Sequence, residues 1–352
     1  MIRMKAWILH QINHINLEER NEPVPGENEV LVHVRAAGIC GSDIPRIYQD
    51  GAHHMPLIPG HEFAGEVVQL GTGVNRNWIS KRVGVFPLIP CLQCPACQNQ
   101  QFEMCSHYNY LGSRRDGGFA EYVAVPERNL IELPDNVSFE EAAMLEPMAV
   151  AVHAMRRLES TSADIVAVYG LGTIGILLAA FLFHRGVKKV LVIGNKEFQK
   201  QAVIRFGLPE QNFCDSKTQN VKNWISNQTN GRGVDLFFEC VGKNETLLHA
   251  IEYTASAGSI CLVGNPHTDM VFPKEIYWMI LRRQLTITGT WNSSFTGQKE
   301  DDWHHVLDLL RRKQIEPEWI ISHTVSLTEM NKGLHIMKEK SEDYIKIMLT
   351  NY

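Results

Sequence analysis

Asp164-Ile165-Val166-Ala167-Val168-Tyr169 runs directly into Gly170-Leu171-Gly172-Thr173-Ile174-Gly175. The first six residues read as a buried strand, and the helical run Thr173 to His184 follows the turn. The spacing is G-x-G-x-x-G, and each glycine has a task. Gly170 permits the tight turn, Gly172 lets a pyrophosphate approach the backbone, and Gly175 lets helix and strand pack closely. Thr173 and Ile174 open the helix, where unpaired N–H groups face such phosphates. A lone motif of this kind is a weak signal; a strand before it and a helix after it strengthen it.

The rhythm continues outward. Val190 to Ile193 is a second strand and Lys196 to Phe206 a helix; strand runs recur at Asn212 to Cys214, Val234 to Glu239, Ser259 to Val263 and Leu285 to Thr288. This alternation predicts right-handed βαβ units and an α/β fold with a doubly wound parallel sheet of Rossmann type, covered on both faces. A dinucleotide site of this kind usually has an acidic residue about 20 residues on, which binds the adenosine ribose. Here the second strand ends Ile193-Gly194-Asn195-Lys196. Without that carboxylate a 2′-phosphate meets no repulsion, Asn195 can donate to it, and Lys196 or Arg205 supplies positive charge. The pattern leans toward NADP; NAD, with Asn195 on the ribose, stays open.

The 352 residues suit two domains rather than one. Residues 1 to 150 are rich in short strand signals, such as Glu29 to Arg35 and Gly65 to Leu70, punctuated by Gly and Pro. After Trp291 come helical patterns at Asp301 to Arg312 and Leu327 to Lys338, then a strand at Tyr344 to Leu349. Lys and Arg number 34 against 39 Asp and Glu, a net charge of −5, which does not suit nucleic-acid backbones or anionic membranes. The longest apolar stretch, Ile174 to Phe183, is shorter than the ~20 residues of a membrane span. Met1 to Leu17 lacks the pattern of a secretory signal, so the cytoplasm is the expected compartment.

Four of the eight cysteines crowd into Cys91-x2-Cys94-x2-Cys97-x7-Cys105. Four soft ligands make a closed tetrahedral site suited to structural zinc. A second set is scattered: Cys40-Gly41-Ser42-Asp43, Pro59-Gly60-His61-Glu62 and Glu146-Pro147. A thiolate, an imidazole and a carboxylate leave an open position on zinc, the arrangement of a Lewis-acid site. Spacing alone does not join these residues.

Together the motifs resemble the zinc-dependent medium-chain alcohol and polyol dehydrogenases over essentially the full length. They are Gly38 to Asp43, Gly60-His61-Glu62, the four-cysteine loop, Gly117 to Tyr122, Glu146-Pro147 and Gly170 to Gly175. Residues 41–53 and 112–122 most resemble the galactitol-1-phosphate 5-dehydrogenase branch; sorbitol (L-iditol) and threonine dehydrogenases are more distant. The resemblance implies a GroES-like catalytic domain from residues 1–150 and 290–352, and a Rossmann domain from 151–289. It implies two zinc ions per chain: a catalytic one at Cys40, His61 and Glu146, with Glu62 nearby or exchanging, and a structural one at the four cysteines. It also implies a homodimer or homotetramer acting on a small polyol or polyol phosphate.

The expected chemistry is hydride transfer between a secondary alcohol and a nicotinamide, with Ser42 taking the hydroxyl proton. Arg114 and Arg115 are candidates for a substrate phosphate, with Arg46 a third and His53 and His54 as lining. Asp43 is a candidate for orienting His61. The alternatives are an unphosphorylated polyol or other secondary alcohol as substrate, and a non-catalytic nucleotide-binding relative keeping only structural zinc. Such a relative has no use for Cys40, His61 and Glu146 together.

Overall fold

Six strands build the sheet around the glycine turn: β1 (Ile165–Tyr169), β2 (Lys189–Gly194), β3 (Phe213–Asp215), β4 (Val234–Glu239), β5 (Thr254–Leu262) and β6 (Thr286–Gly289). Every pair is parallel, and the spatial order is β3-β2-β1-β4-β5-β6. The order reverses between β1 and β4, and in such sheets ligands bind beyond the carboxyl ends of the strands at the reversal. Tyr169, opposite Ile193 on one side and Glu239 on the other, marks that end. The helix Thr173–His184 lies directly after β1 and buries eight residues in a row, Gly175 to Leu182. Strands such as Val190 to Ile193 are fully buried, as expected for a sheet covered on both faces.

The computed structural model describes residues 2–161, 164–266 and 268–350. It divides into two units: Met1–Ala149 with Ser293–Tyr352, and Val150–Asn292, which holds the parallel sheet. The first unit contains a seven-stranded sheet. Its order is Ile321–Ser326, Lys346–Thr350, Glu29–Ile39, Glu62–Leu70, Arg82–Val85 and Leu130–Glu132, with Tyr122–Pro126 also paired to Glu29–Ile39. The late strand Lys346–Thr350 runs antiparallel to Glu29–Ile39, with Ile347 opposite Ile39. Residues far apart in sequence are thereby set side by side. The core of this unit gathers Val32, Phe63, Val85, Phe119, Leu334 and Ile347. The architecture is a GroES-like β-rich unit and a Rossmann unit, in the α/β class.

Several strands extend past their sequence limits; β5, for one, begins at Thr254 rather than Ser259. Glu29–Ile39 continues beyond Arg35, and Glu62–Leu70 begins before Gly65, because Ala36–Gly38 pairs with Glu62–Ala64 in a stretch without alternating polarity. The hairpin Arg3–Gln11 with His14–Asn21 has no counterpart in the sequence reading. None of the described helices is long and apolar enough to cross a membrane.

The glycine turn shows why its residues are small. Gly170 has φ +101°, a left-handed conformation, and an added Cβ would lie 2.7 Å from Val241 Cγ2. At Gly175 a Cβ would lie 1.8 Å from the Gly170 carbonyl oxygen. Gly175→Ala must push the helix from the strand; overpacking of this kind costs about 1–3 kcal/mol. Denaturant unfolding of the variant is expected to show that loss, and an unchanged midpoint would contradict the packing described here.

Candidate functional site

The residues around Cys40 are organised by Asp43, which is fully buried. Its Oδ2 accepts from the Cys40 backbone N–H at 3.0 Å, and its Oδ1 accepts from Arg46 Nη1 at 2.6 Å. His61 Nδ1 faces the same Oδ1 at 3.6 Å, too far for a hydrogen bond, and has no other partner. Burial opposes ionisation of Asp43, but His61 and Arg46 outweigh it and hold the carboxyl below its ordinary value. Burial likewise disfavours a charged His61, yet Asp43 and Cys40 raise it well above the usual imidazole range. Ser42 Oγ donates to Cys40 Sγ at 3.3 Å.

Ligand atoms of Cys40, His61 and Glu62 all lie within 4.8 Å of one another. A sulfur, a nitrogen and an oxygen gathered so closely form a donor set that fits a zinc ion. Glu146 is not in that group, although the sequence reading placed it there and Glu62 at the margin. The structure shows what each carboxylate does. Glu62 is gripped by Lys346, whose ammonium donates to both carboxylate oxygens at 2.8 and 2.6 Å and also to Ile39 O at 3.3 Å. Glu146, in the first turn of the helix Leu145–Arg156, accepts from Tyr110 OH at 3.3 Å and meets no cation so closely. Burial first, against the pull of His61, raises its pKa to about 7. Burial also holds the Tyr110 hydroxyl protonated, and the negative charges of Glu146 and Cys40 add to this.

Lys346 and Tyr110 escaped the sequence reading. The signal for Lys346 was a lone cation in the apolar run Ile345 to Leu349. Tyr110 carried no comparable mark.

The four-cysteine loop is closed on itself. All four sulfurs lie within 4.8 Å of one another; Cys91 and Cys97 are 4.0 Å apart, and Cys94 and Cys105 3.9 Å. A zinc tetrahedron with bonds of about 2.3 Å has sulfur–sulfur edges of about 3.8 Å, so these spacings fit the ion. Backbone N–H groups aim at the sulfurs. Cys91 N–H donates to Cys105 Sγ at 3.2 Å, and the N–H groups of Cys97 and Ser106 favour the Cys94 thiolate.

In the other unit, the helix Thr173–His184 begins at Gly172, where an added Cβ would meet nothing within 4 Å. That open backbone is a cradle able to receive a pyrophosphate. At the end of β2, Asn195 N–H donates to Gln199 Oε1 at 3.0 Å, and the Lys196 ammonium lies 5.1 Å from the centre of the Phe198 ring. No carboxylate occupies residues 194–196.

Residues 26–135 match the family model for the alcohol dehydrogenase GroES-like domain, and residues 173–312 match that for zinc-binding dehydrogenases. Galactitol 1-phosphate 5-dehydrogenase of Escherichia coli K12 is 33% identical over 323 residues, covering 92% of this chain and 89% of its own. The chain belongs to the zinc-dependent medium-chain alcohol and polyol dehydrogenases. Sorbitol dehydrogenase of Halalkalibacterium halodurans is 30% identical over 354 residues, 99% of each chain. The structure of a putative zinc-binding dehydrogenase from Sinorhizobium meliloti, bound to NADP, superposes with a TM-score of 0.90 at 27% identity and covers all of both chains.

The two arginines considered for a substrate phosphate in this dehydrogenase diverge. Arg115 is taken by Glu29, its Nη2 2.6 Å from Oε1. Arg114 lies over the Tyr108 ring, 4.5 Å from its centre. His54 Nε2 lies 2.9 Å from the Arg114 carbonyl oxygen, and both His53 and His54 are exposed.

The two metal-binding groups predict different losses. Cys94→Ser is expected to remove one zinc per chain and to lower Tm, because metal binding at a structural site is folding energy. Cys40→Ser should remove the other zinc with a smaller shift in Tm. Metal analysis with calorimetry checks this; equal Tm losses would erase the distinction between the sites.

Proposed function

We propose that this dehydrogenase interconverts a secondary alcohol of a polyol or polyol phosphate with the corresponding ketone, using a nicotinamide cofactor. The observation that carries the reading is the close sulfur–nitrogen–oxygen set at Cys40, His61 and Glu62, the latter two buried, with Glu146 beside it. A zinc ion there supplies Lewis acidity toward the substrate hydroxyl, and the nicotinamide supplies the hydride acceptor.

Cys40, His61 and Glu146 are the residues we assign to hold that ion. Glu62 has both oxygens on Lys346, so its charge is already balanced; Glu146 is the carboxylate without a cation. Asp43 fixes the Cys40 backbone and faces His61 Nδ1, so it sets the direction of both ligands. Ser42, beside the Cys40 sulfur, is placed to take the hydroxyl proton and pass its own to water. The four cysteines hold the second, structural ion.

For the cofactor, Gly170, Gly172, Thr173, Ile174 and Gly175 form the pyrophosphate cradle, and Asn195 with Lys196 faces the adenosine ribose. The missing carboxylate after β2 and the NADP in the Sinorhizobium relative favour NADP. None of the eight cysteines is in a disulfide, which suits the cytoplasm.

The test is a panel of polyols, polyol phosphates and an amino alcohol with NAD and NADP. Secondary-alcohol oxidation that Glu146→Gln reduces by at least about 100-fold, with one zinc lost, supports the reading. Glu62→Gln should keep both zinc ions. The opposite pattern would make Glu62 the ligand.

We also propose that the partner is a second copy of the chain, seated on the edge of the parallel sheet. β6 is the terminal strand, and the helix Lys274–Arg283 buries none of its residues. Phe272, Tyr277, Trp278, Leu281 and Trp291 are exposed there, an apolar patch that a monomer rarely leaves open. An identical edge strand across a two-fold axis would satisfy both rows of unpaired N–H and C=O groups. Trp278→Glu is expected to shift the protein to monomer in sedimentation; unchanged assembly would place the interface elsewhere.

A further inference from the structure

Of Arg46, Arg114 and Arg115, two are neutralised inside the protein. Arg46 is bound by Asp43 and Arg115 by Glu29. Arg114 pairs with no carboxylate among the described residues; its guanidinium rests on the Tyr108 ring instead. A cation over an aromatic face keeps its orientation while its N–H donors stay available. A partly exposed guanidinium with no carboxylate partner is free to receive an anion.

Its surroundings point the same way. His53, two loops away in sequence, is held below the ordinary imidazole value by burial, then by the charges of Arg114 and Arg46. Arg114 and Arg46 therefore both lie near the His53 ring. The path to the metal-binding residues is aromatic. Tyr108 meets Tyr110 edge-on, with ring centres 6.2 Å apart. Tyr110 in turn lies 5.9 Å from the His61 ring and donates to Glu146. Two rings thus separate the free guanidinium from the residues that would polarise a hydroxyl. That separation suits a substrate whose anionic end is several bonds from the reacting carbinol.

We infer that Arg114, supported by Tyr108 and His53, binds the phosphate of a polyol phosphate whose secondary alcohol reacts at the Cys40–His61 centre. The inference rests on the polyol dehydrogenase reading above and commits it to the phosphorylated class. The planar guanidinium can meet two phosphate oxygens at once, which a free hydroxymethyl end cannot exploit. Arg115, although adjacent in sequence, takes no part, because Glu29 already occupies it.

The experiment compares a hexitol 1-phosphate with the same hexitol and with the corresponding hexonate. The holoenzyme is assayed as wild type, Arg114→Gln and Arg115→Gln. In the wild type, kcat/KM for the phosphate is expected to exceed that for the free hexitol by about 10- to 100-fold, mostly through KM. Arg114→Gln should bring the ratio close to one, and Arg115→Gln should leave it as in the wild type. A fold defect would lower both substrates together and leave the ratio intact. Inorganic phosphate should compete with the hexitol phosphate in the wild type and lose that effect in Arg114→Gln.

Equal kcat/KM for phosphate and free hexitol in the wild type, or a ratio that survives Arg114→Gln, overturns the inference and leaves the polyol reading standing. A hexonate preferred over the phosphate overturns it as well. Turnover of none of the three, alongside turnover of another secondary alcohol, sinks both.

Discussion

Four acidic groups are gathered in one poorly hydrated place: the Cys40 thiol and the carboxyls of Asp43, Glu62 and Glu146. Burial disfavours the charged forms of Asp43 and Glu146, and the nearby Glu62 adds to that cost at Glu146. The surrounding structure answers with cations placed one by one. Arg46 comes from the turn after Cys40 and meets Asp43. Lys346 comes from a strand 284 residues away and takes both oxygens of Glu62. Burial should discharge Lys346, yet Glu62 and Cys40 keep it charged. Glu146 meets the Tyr110 hydroxyl at 3.3 Å rather than an ammonium or guanidinium at that range. The pairing of Lys346–Thr350 with Glu29–Ile39 brings that ammonium to Glu62.

Much of this was legible beforehand, wherever the physics is local. The glycine turn can be read because Gly170, Gly172 and Gly175 each answer to neighbours within a few residues. The four-cysteine loop can be read because soft ligands spaced by two and seven residues have few other uses. The helix Thr173–His184 and strand β4 match the sequence reading residue for residue. The edge of each prediction failed where tertiary pairing, not side-chain pattern, sets a boundary, as at Ala36–Gly38.

What could not be read depends on long-range partners. Arg114 and Arg115 are identical in type and adjacent, yet one meets Glu29 and the other a tyrosine ring. Glu62 and Glu146 are both flagged as carboxylates near a metal by motif alone; only the position of Lys346 tells which already has a counter-ion. The N-terminal hairpin was likewise invisible, because its first strand has apolar residues without a turn signal that stands out from the loops around it.

The interrupted course of the first unit has a consequence for the order in which the molecule is made. A ribosome releases residues 1–149 first, then all six strands of the parallel sheet, and only afterwards the strand bearing Lys346. Until that strand arrives, the edge of Glu29–Ile39 that it later covers is open and Glu62 lacks its ammonium. The nucleotide-binding unit, continuous in the chain, can fold as soon as it emerges. The Lys346–Glu62 contact, by contrast, can form only after both units have been synthesised.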